Sequence, residues 1–227
     1  MKFMRLFLFC VYLSLGMQVL SQNQALKLEF QFTYGDEPIT LSKKYPHLSS
    51  ADSLQFNVIK IYIGNFVLSN EPAGESQPQF FLLDLSKPES LAFSIESEPF
   101  LGKIGFQIGI DSLTHVSGAM GGALDPLNGM YWTWQSGYIN IKIEGSSSLS
   151  SARNNEFQYH LGGYQFPKNA VQTLSFETQN QSNLIFELPL DKLIPLFDFA
   201  HTPAIMSPSP NAVELSTLIS SHLMLIK

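Results

Sequence analysis

The sequence predicts an all-β fold: one antiparallel sandwich or barrel-like domain, closed by a single C-terminal helix. Apolar residues recur with period two through most of the chain, which places them on one face of a strand. Leu26, Leu28, Phe30 and Phe32 alternate with Lys27, Glu29, Gln31 and Thr33, and Ile139, Ile141 and Ile143 alternate with Tyr138, Asn140, Lys142 and Glu144. Polar turn clusters at 70–79, 146–155 and 179–183 separate such runs, as expected of a chain of short strands. The period becomes helical only near the end, at Leu215, Leu218, Ile219 and Leu223.

In order along the chain, residues 1–5 carry two positive charges and no acid, and 6–20 form a largely apolar run ending at Ser21-Gln22. This is the pattern of a secretory signal peptide, so residues 1–21 read as a leader and 22–227 as one β domain. The apolar run is short for a membrane span, and nothing later reaches spanning length. Cys10, the only cysteine, lies in the leader, and its flank Leu8-Phe9-Cys10-Val11 lacks the small residues of a lipid-anchor signal. The predicted location is periplasmic or secreted. The exported domain would use no disulfide, which is tolerable at a size that can build a real core.

Strands are expected at 26–32, at 54–68 with a break at Gly64-Asn65, and at 80–85, 104–110, 139–143, 156–160, 171–177 and 184–190. Asn211, with Glu214 three residues on, has the spacing of a helix-capping box for the final helix. Without Lys2 and Arg5 the chain keeps 11 basic against 19 acidic residues, and no basic stripe exists, so nucleic acid is not an expected partner.

Site chemistry concentrates between Asp111 and Gly145. That stretch holds both tryptophans, Trp132 and Trp134, together with His115, Met120, Met130 and six glycines. Asp111 ends an apolar strand and opens the loop, where an Asx turn anchor is the simplest reading. His115 and His160 are the histidines in structured, glycine-flanked settings; imidazole ligates copper, zinc and nickel, and thioethers favour Cu(I). On its strand, His160 shares a face with Gln158, opposite Phe157 and Tyr159, so it points to solvent or to a polar pocket. Trp132 and Trp134 would face the same side of a strand. They suit a core plug, a sugar-stacking platform or oxidisable aromatics beside a redox site. Acidic residues elsewhere fall mostly on alternating faces where solvation is expected. No nucleophile elbow, phosphate loop, HExxH or EF-hand pattern is present, so an enzyme is not predicted.

The word LDPLNGMYWTWQSGY at 124–138, followed by YHLGG at 159–163, resembles the MbnP-like family of methanobactin-associated, copper-binding periplasmic proteins. The segment 63–68, the Ile108-Gly109-Ile110-Asp111 entry to the loop, and Met206-Ser207-Pro208 fit the same resemblance. It implies a β-rich fold that binds one copper through two histidines, here His115 and His160. Met120, Met130 and Asp111 would be soft ligands or supporting groups beside the metal. It further implies a tryptophan, Trp132 or Trp134, oxidised to kynurenine by a MauG-like diheme peroxidase partner. The chain departs from the family pattern in having Thr114 before His115, and Gly163-Tyr164 where methanobactin-associated members carry cysteines. The predicted function is an exported copper-binding protein for acquisition, buffering or delivery; the alternative is a carbohydrate- or partner-binding sandwich of the cell envelope.

Overall fold

The computed structural model describes residues 24–46, 53–68, 79–97, 102–134, 137–179 and 181–227. The leader with Cys10, His47, residues 70–78 of the first turn cluster, and Gln135-Ser136 lie outside the described residues. Strands β1 (Gln24–Tyr34), β2 (Glu37–Pro38), β3 (Lys44–Pro46), β4 (Ser53–Leu68), β5 (Phe80–Asp84), β6 (Ala92–Ser97) and β7 (Gly102–Ile108) precede the long loop. Within it lie the short helix α1 (Ser112–Val116) and strand β8 (Tyr131–Trp132). Then follow β9 (Gly137–Ser147), β10 (Glu156–Gly162), β11 (Gln172–Thr178), β12 (Asn183–Pro189), α2 (Leu190–Leu193), β13 (Ala204–Ile205), α3 (Pro210–Ser221) and β14 (Met224–Leu225).

Two sheets result. One runs β14-β12-β1-β2, with β6 also on β1; the other runs β11-β7-β4-β9-β10-β13, with β3 and β5 on β4 and β8 on β9. Their inward faces are the period-two apolar sets: Leu26, Leu28 and Phe30 of β1 and Phe186 of β12 meet Ile61, Ile63, Phe106 and Ile141, all nearly solvent-free. Phe106 touches both partners across the gap, edge-on to Phe30 at 6.1 Å and to Phe186 at 5.2 Å. Each such fully buried side chain contributes roughly 2 kcal/mol of hydrophobic stabilisation.

The all-β class holds, but the pairing is not purely antiparallel. β1 runs parallel to β12 from Lys27↔Asn183 to Thr33↔Pro189, and β10 runs parallel to β13. Alternation of side chains is the same for either direction, and only short connections force strands antiparallel. The expected break in β4 is a register shift between Gly64 and Val67, with Asn65 in the left-handed region at φ 53°. The helix cap is corrected. Ser209, not Asn211, accepts the Ala212 N–H at 3.1 Å, and Pro210 takes the first helical position, where its missing N–H costs nothing. Asn211 and Glu214 are exposed on α3, while Ala212, Leu215 and Ile219 pack inward.

Under the long loop lies a second, smaller core: Tyr62, Ile110, Leu124, Met130, Trp132, Tyr138 and Ile139. Tyr62 alternates with Ile61 and Ile63, so this core occupies the opposite face of the nine-stranded sheet. The loop is therefore a packed layer rather than a loose lid. Two lysines pin it: Lys60 donates to the Asn128 carbonyl at 2.9 Å and Lys142 to the Gly129 carbonyl at 3.2 Å.

Candidate metal centre

The outer face of the nine-stranded sheet carries a transverse row of polar residues fixed by register. Asp84 pairs with Lys60, Lys60 with Lys142, and Lys142 with His160, across β5, β4, β9 and β10. Two lysines directly opposite would repel. Each has its own carboxylate: Lys60 lies 3.0 Å from Asp84 and Lys142 lies 3.2 Å from Glu144.

His160 stands at the end of this row, only 7% exposed. The polar-pocket reading of its strand face is the one realised. Its Nε2 lies 2.6 Å from Glu144 Oε1. The Glu144 carboxyl is held below its usual range, first by that hydrogen bond, against the opposing effect of burial, and with help from Lys142. An ionised carboxylate only accepts, so Nε2 carries a proton, and in the neutral ring the lone pair is on Nδ1. That Nδ1 is buried without a partner.

His115 reaches the same sheet face from α1. The helix starts at Asp111, whose carboxylate accepts from Thr114 N–H at 2.8 Å, from Thr114 Oγ1 at 3.2 Å and from the Asn65 amide at 2.9 Å. Burial alone would raise the Asp111 pKa, but these bonds outweigh it and the net shift is downward. Asp111 is thus the turn anchor, acting as an N-cap. It sets the helix and through it the imidazole. His115 is 3% exposed and stacks on Tyr164 at 4.4 Å and 16°. Burial pushes its pKa down to about 4, against the Asp111 charge and the neighbouring Asn140 amide. Its Nδ1 accepts the Tyr138 backbone N–H at 3.2 Å, and Nε2 is buried without a partner.

The backbone makes room for this packing at two glycines. Gly109, at φ +104°, lies so close to Asn140 that a β-carbon would meet its side chain at 2.6 Å. Asn140 is the extra residue of a β-bulge: Leu161 pairs with Ile141 but Gly162 pairs with Ile139. The bulge turns Ile139 outward into the second core, a common use of bulges beside sites. Trp132 packs against Gly162, where a β-carbon would sit 2.8 Å from its ring.

The two tryptophans are not a matched pair. Their centroids are 6.1 Å apart with planes tilted by 51°, but Trp132 is 5% exposed and Trp134 66%. The reason is that β8 ends at Trp132, so strand geometry does not extend to Trp134. Met130 is a fully buried packing residue, whereas Met120 is half exposed and binds Tyr138 Oη only through its backbone N–H. Trp134 instead borders a cleft of about 580 Å³ shared with Tyr164, Phe166, Pro167 and Pro208.

The expected site residues are thus brought to one sheet face but handled differently. His115, His160 and Trp132 are buried there, each with an unpartnered ring nitrogen, and the Asn140 amide nitrogen is also unpartnered. Buried polar atoms without partners are uncommon and ask for an explanation. Among the described residues no three or more His, Cys, Asp or Glu side chains form a metal-holding group; the two imidazoles are the candidate ligands the sequence points to. His160 presents a free lone pair directly. His115 fits only if its proton moves from Nε2 to Nδ1, which would leave the buried Tyr138 N–H without its acceptor, at about 1–3 kcal/mol. Sequence reasoning missed Glu144, Tyr164 and Asn140. Glu144 carries one signal in the sequence, since it shares the strand face of Lys142, but alternation alone does not tell a solvated acid from a buried one.

Comparison with curated protein sequences gives no significant match. Among solved structures, the chain is similar to MbnP from Methylosinus trichosporium, with a TM-score of 0.56 at 14% identity, over 85% of this chain and 87% of that one. At that identity the likeness speaks for the fold. The model of the MbnP family matches residues 23–207, spanning both sheets, the tryptophan loop and both histidines, and the chain belongs to that family.

Proposed function

We propose that this chain is an exported, non-enzymatic copper-binding protein that acquires, buffers or delivers copper through His115 and His160. One observation carries the reading: two imidazoles on the same sheet face are each more than nine-tenths buried, and each has a ring nitrogen with no protein partner. Neutral imidazole is a good ligand for copper, and burial keeps His115 neutral above its depressed pKa of about 4. Copper, when bound, would supply one-electron redox chemistry or simply be carried. The chain's own residues would orient the imidazoles and exclude water.

Membership of the family, with the sequence features of a leader, supports export. Among the described residues no helix is long and apolar enough to cross a membrane. If a MauG-like diheme peroxidase acts on this protein, Trp132 is the better-placed oxidation site. Its ring rests on Gly162, two residues from His160, while Trp134 projects into the open cleft. The mature chain is expected to bind Cu(I) far more tightly than a His115→Ala/His160→Ala double variant in a competition titration with a chromophoric chelator. Equal affinities would reject the copper reading.

A second reading has its own observation. The cleft beside Trp134, with Tyr164 and with Phe166 almost fully exposed, suits an apolar sugar face or a partner side chain. The buried Trp132 takes no part in it, so the two-ring platform is reduced to one tryptophan. A glycan screen read by Trp134 fluorescence without hits, alongside copper-induced quenching, would remove this alternative.

A further inference from the structure

We propose that Glu144 is a positioning residue for His160, fixing its tautomer so that Nδ1 is the ligating atom. This deepens the copper reading above and rests on it. The argument begins with register. Glu144 is two residues from Lys142, the direct β9 partner of His160, so both carboxylate and imidazole stand on the outer face of the sheet. The contact is 2.6 Å and the imidazole is 7% exposed, so water does not compete for the ring. A carboxylate accepting from one ring nitrogen leaves the other bare, orients the ring and raises its basicity, as a carboxylate–histidine–metal arrangement requires.

Two features keep Glu144 in this role. Lys142 sits 3.2 Å from the same Oε1 atom that His160 contacts, which holds the carboxylate in place against the imidazole. Lys142 in turn donates to the Gly129 carbonyl, immediately before Met130 in the tryptophan loop. The chain of contacts from loop to carboxylate to imidazole therefore ties the ring's orientation to the seating of the loop that carries Trp132. His115 has no such carboxylate. Its free-standing Nε2 and its Nδ1 contact with a backbone N–H make it the ligand that must rearrange. The site is asymmetric, with one ligand prepared and one recruited.

The test uses the mature chain in two measurements. Long-range proton–nitrogen correlation NMR of the metal-free protein near neutral pH is expected to show His160 protonated at Nε2 and bare at Nδ1, and Glu144→Ala to lose that fixed tautomer. Cu(I) competition titration is expected to show a ~10–100-fold weaker affinity for Glu144→Ala. Glu144→Gln, which keeps the shape and an acceptor oxygen but not the charge, should fall between, and it covers the case in which the alanine variant folds poorly. A proton on Nδ1 in the unaltered protein would overturn the proposal, as would a lost tautomer with unchanged copper affinity. If the tautomer is as expected but neither protein binds copper, the Glu144–His160 pair stands as geometry, and the positioning role falls together with the copper reading.

Discussion

His115 illustrates how one buried side chain can report on the whole fold. Its pKa is depressed to about 4, chiefly by burial, while an unfolded chain would titrate near the ordinary imidazole value of 6.5. The unfolded state therefore binds the proton more readily, and acid favours unfolding. The contribution is intact above about pH 6.5 and is lost as pH falls toward 4, amounting at most to about 3 kcal/mol. Urea unfolding of the metal-free protein at pH 7 and pH 4.5 should show a clear loss of stability, and His115→Gln should show a shallower one. Identical pH dependence in the two proteins would mean that His115 is not the group responsible. At this scale much of the site was legible. The parity of Gln158 and His160 already placed the imidazole on a polar face, and the glycine-flanked context singled out His115. The partner of His160 was not legible, because Glu144 lies on another strand and only register brings them together.

Individual elements were legible wherever period two persists, as in β1, β7 and β9. β6 carries the same signal in Phe93 and Ile95 against Ser94 and Glu96, but over too short a run to stand out. β8 is the opposite case. Its Trp-x-Trp spacing invites an extended strand, yet pairing stops at Trp132 because the next residues turn. The start of α3 is decided by hydrogen bonding rather than by a motif word. Ser209 directly precedes Pro210, and its hydroxyl reaches the Ala212 N–H, whereas Asn211 lies two residues past the cap position and is exposed. Ser209→Ala is expected to lower the unfolding free energy by about 1 kcal/mol, and Asn211→Ala to change it by no more than roughly 0.5 kcal/mol. Chemical denaturation of the two variants decides between the caps; the reverse order would return the cap to Asn211.

For the whole molecule, the fold class followed from composition and period, but the route of the chain did not. Alternation is blind to strand direction, so nothing in the residues of β1 announces that its neighbour β12 runs parallel to it. That pairing joins Lys27 to Asn183, and it governs how the protein can come into being. β1 can pair early with β6, as Leu28 meets Phe93 and Leu26 meets Ile95, but its other edge stays open until nearly all the chain exists. β12 works as a latch, closing a loop of more than 150 residues. Such distant closure is slow because the chain entropy is lost before the contact repays it. A chain ending before residue 183 is expected to keep strand-like far-UV dichroism while lacking the near-UV signal of fixed aromatics, since Phe30 loses its stacking partner Phe186 at 5.0 Å. Native-like near-UV dichroism in that truncated chain would show that the latch is dispensable. If it is not, tryptophan loop and histidines alike take their final positions only once β12, at the start of the last fifth or so of the sequence, has arrived.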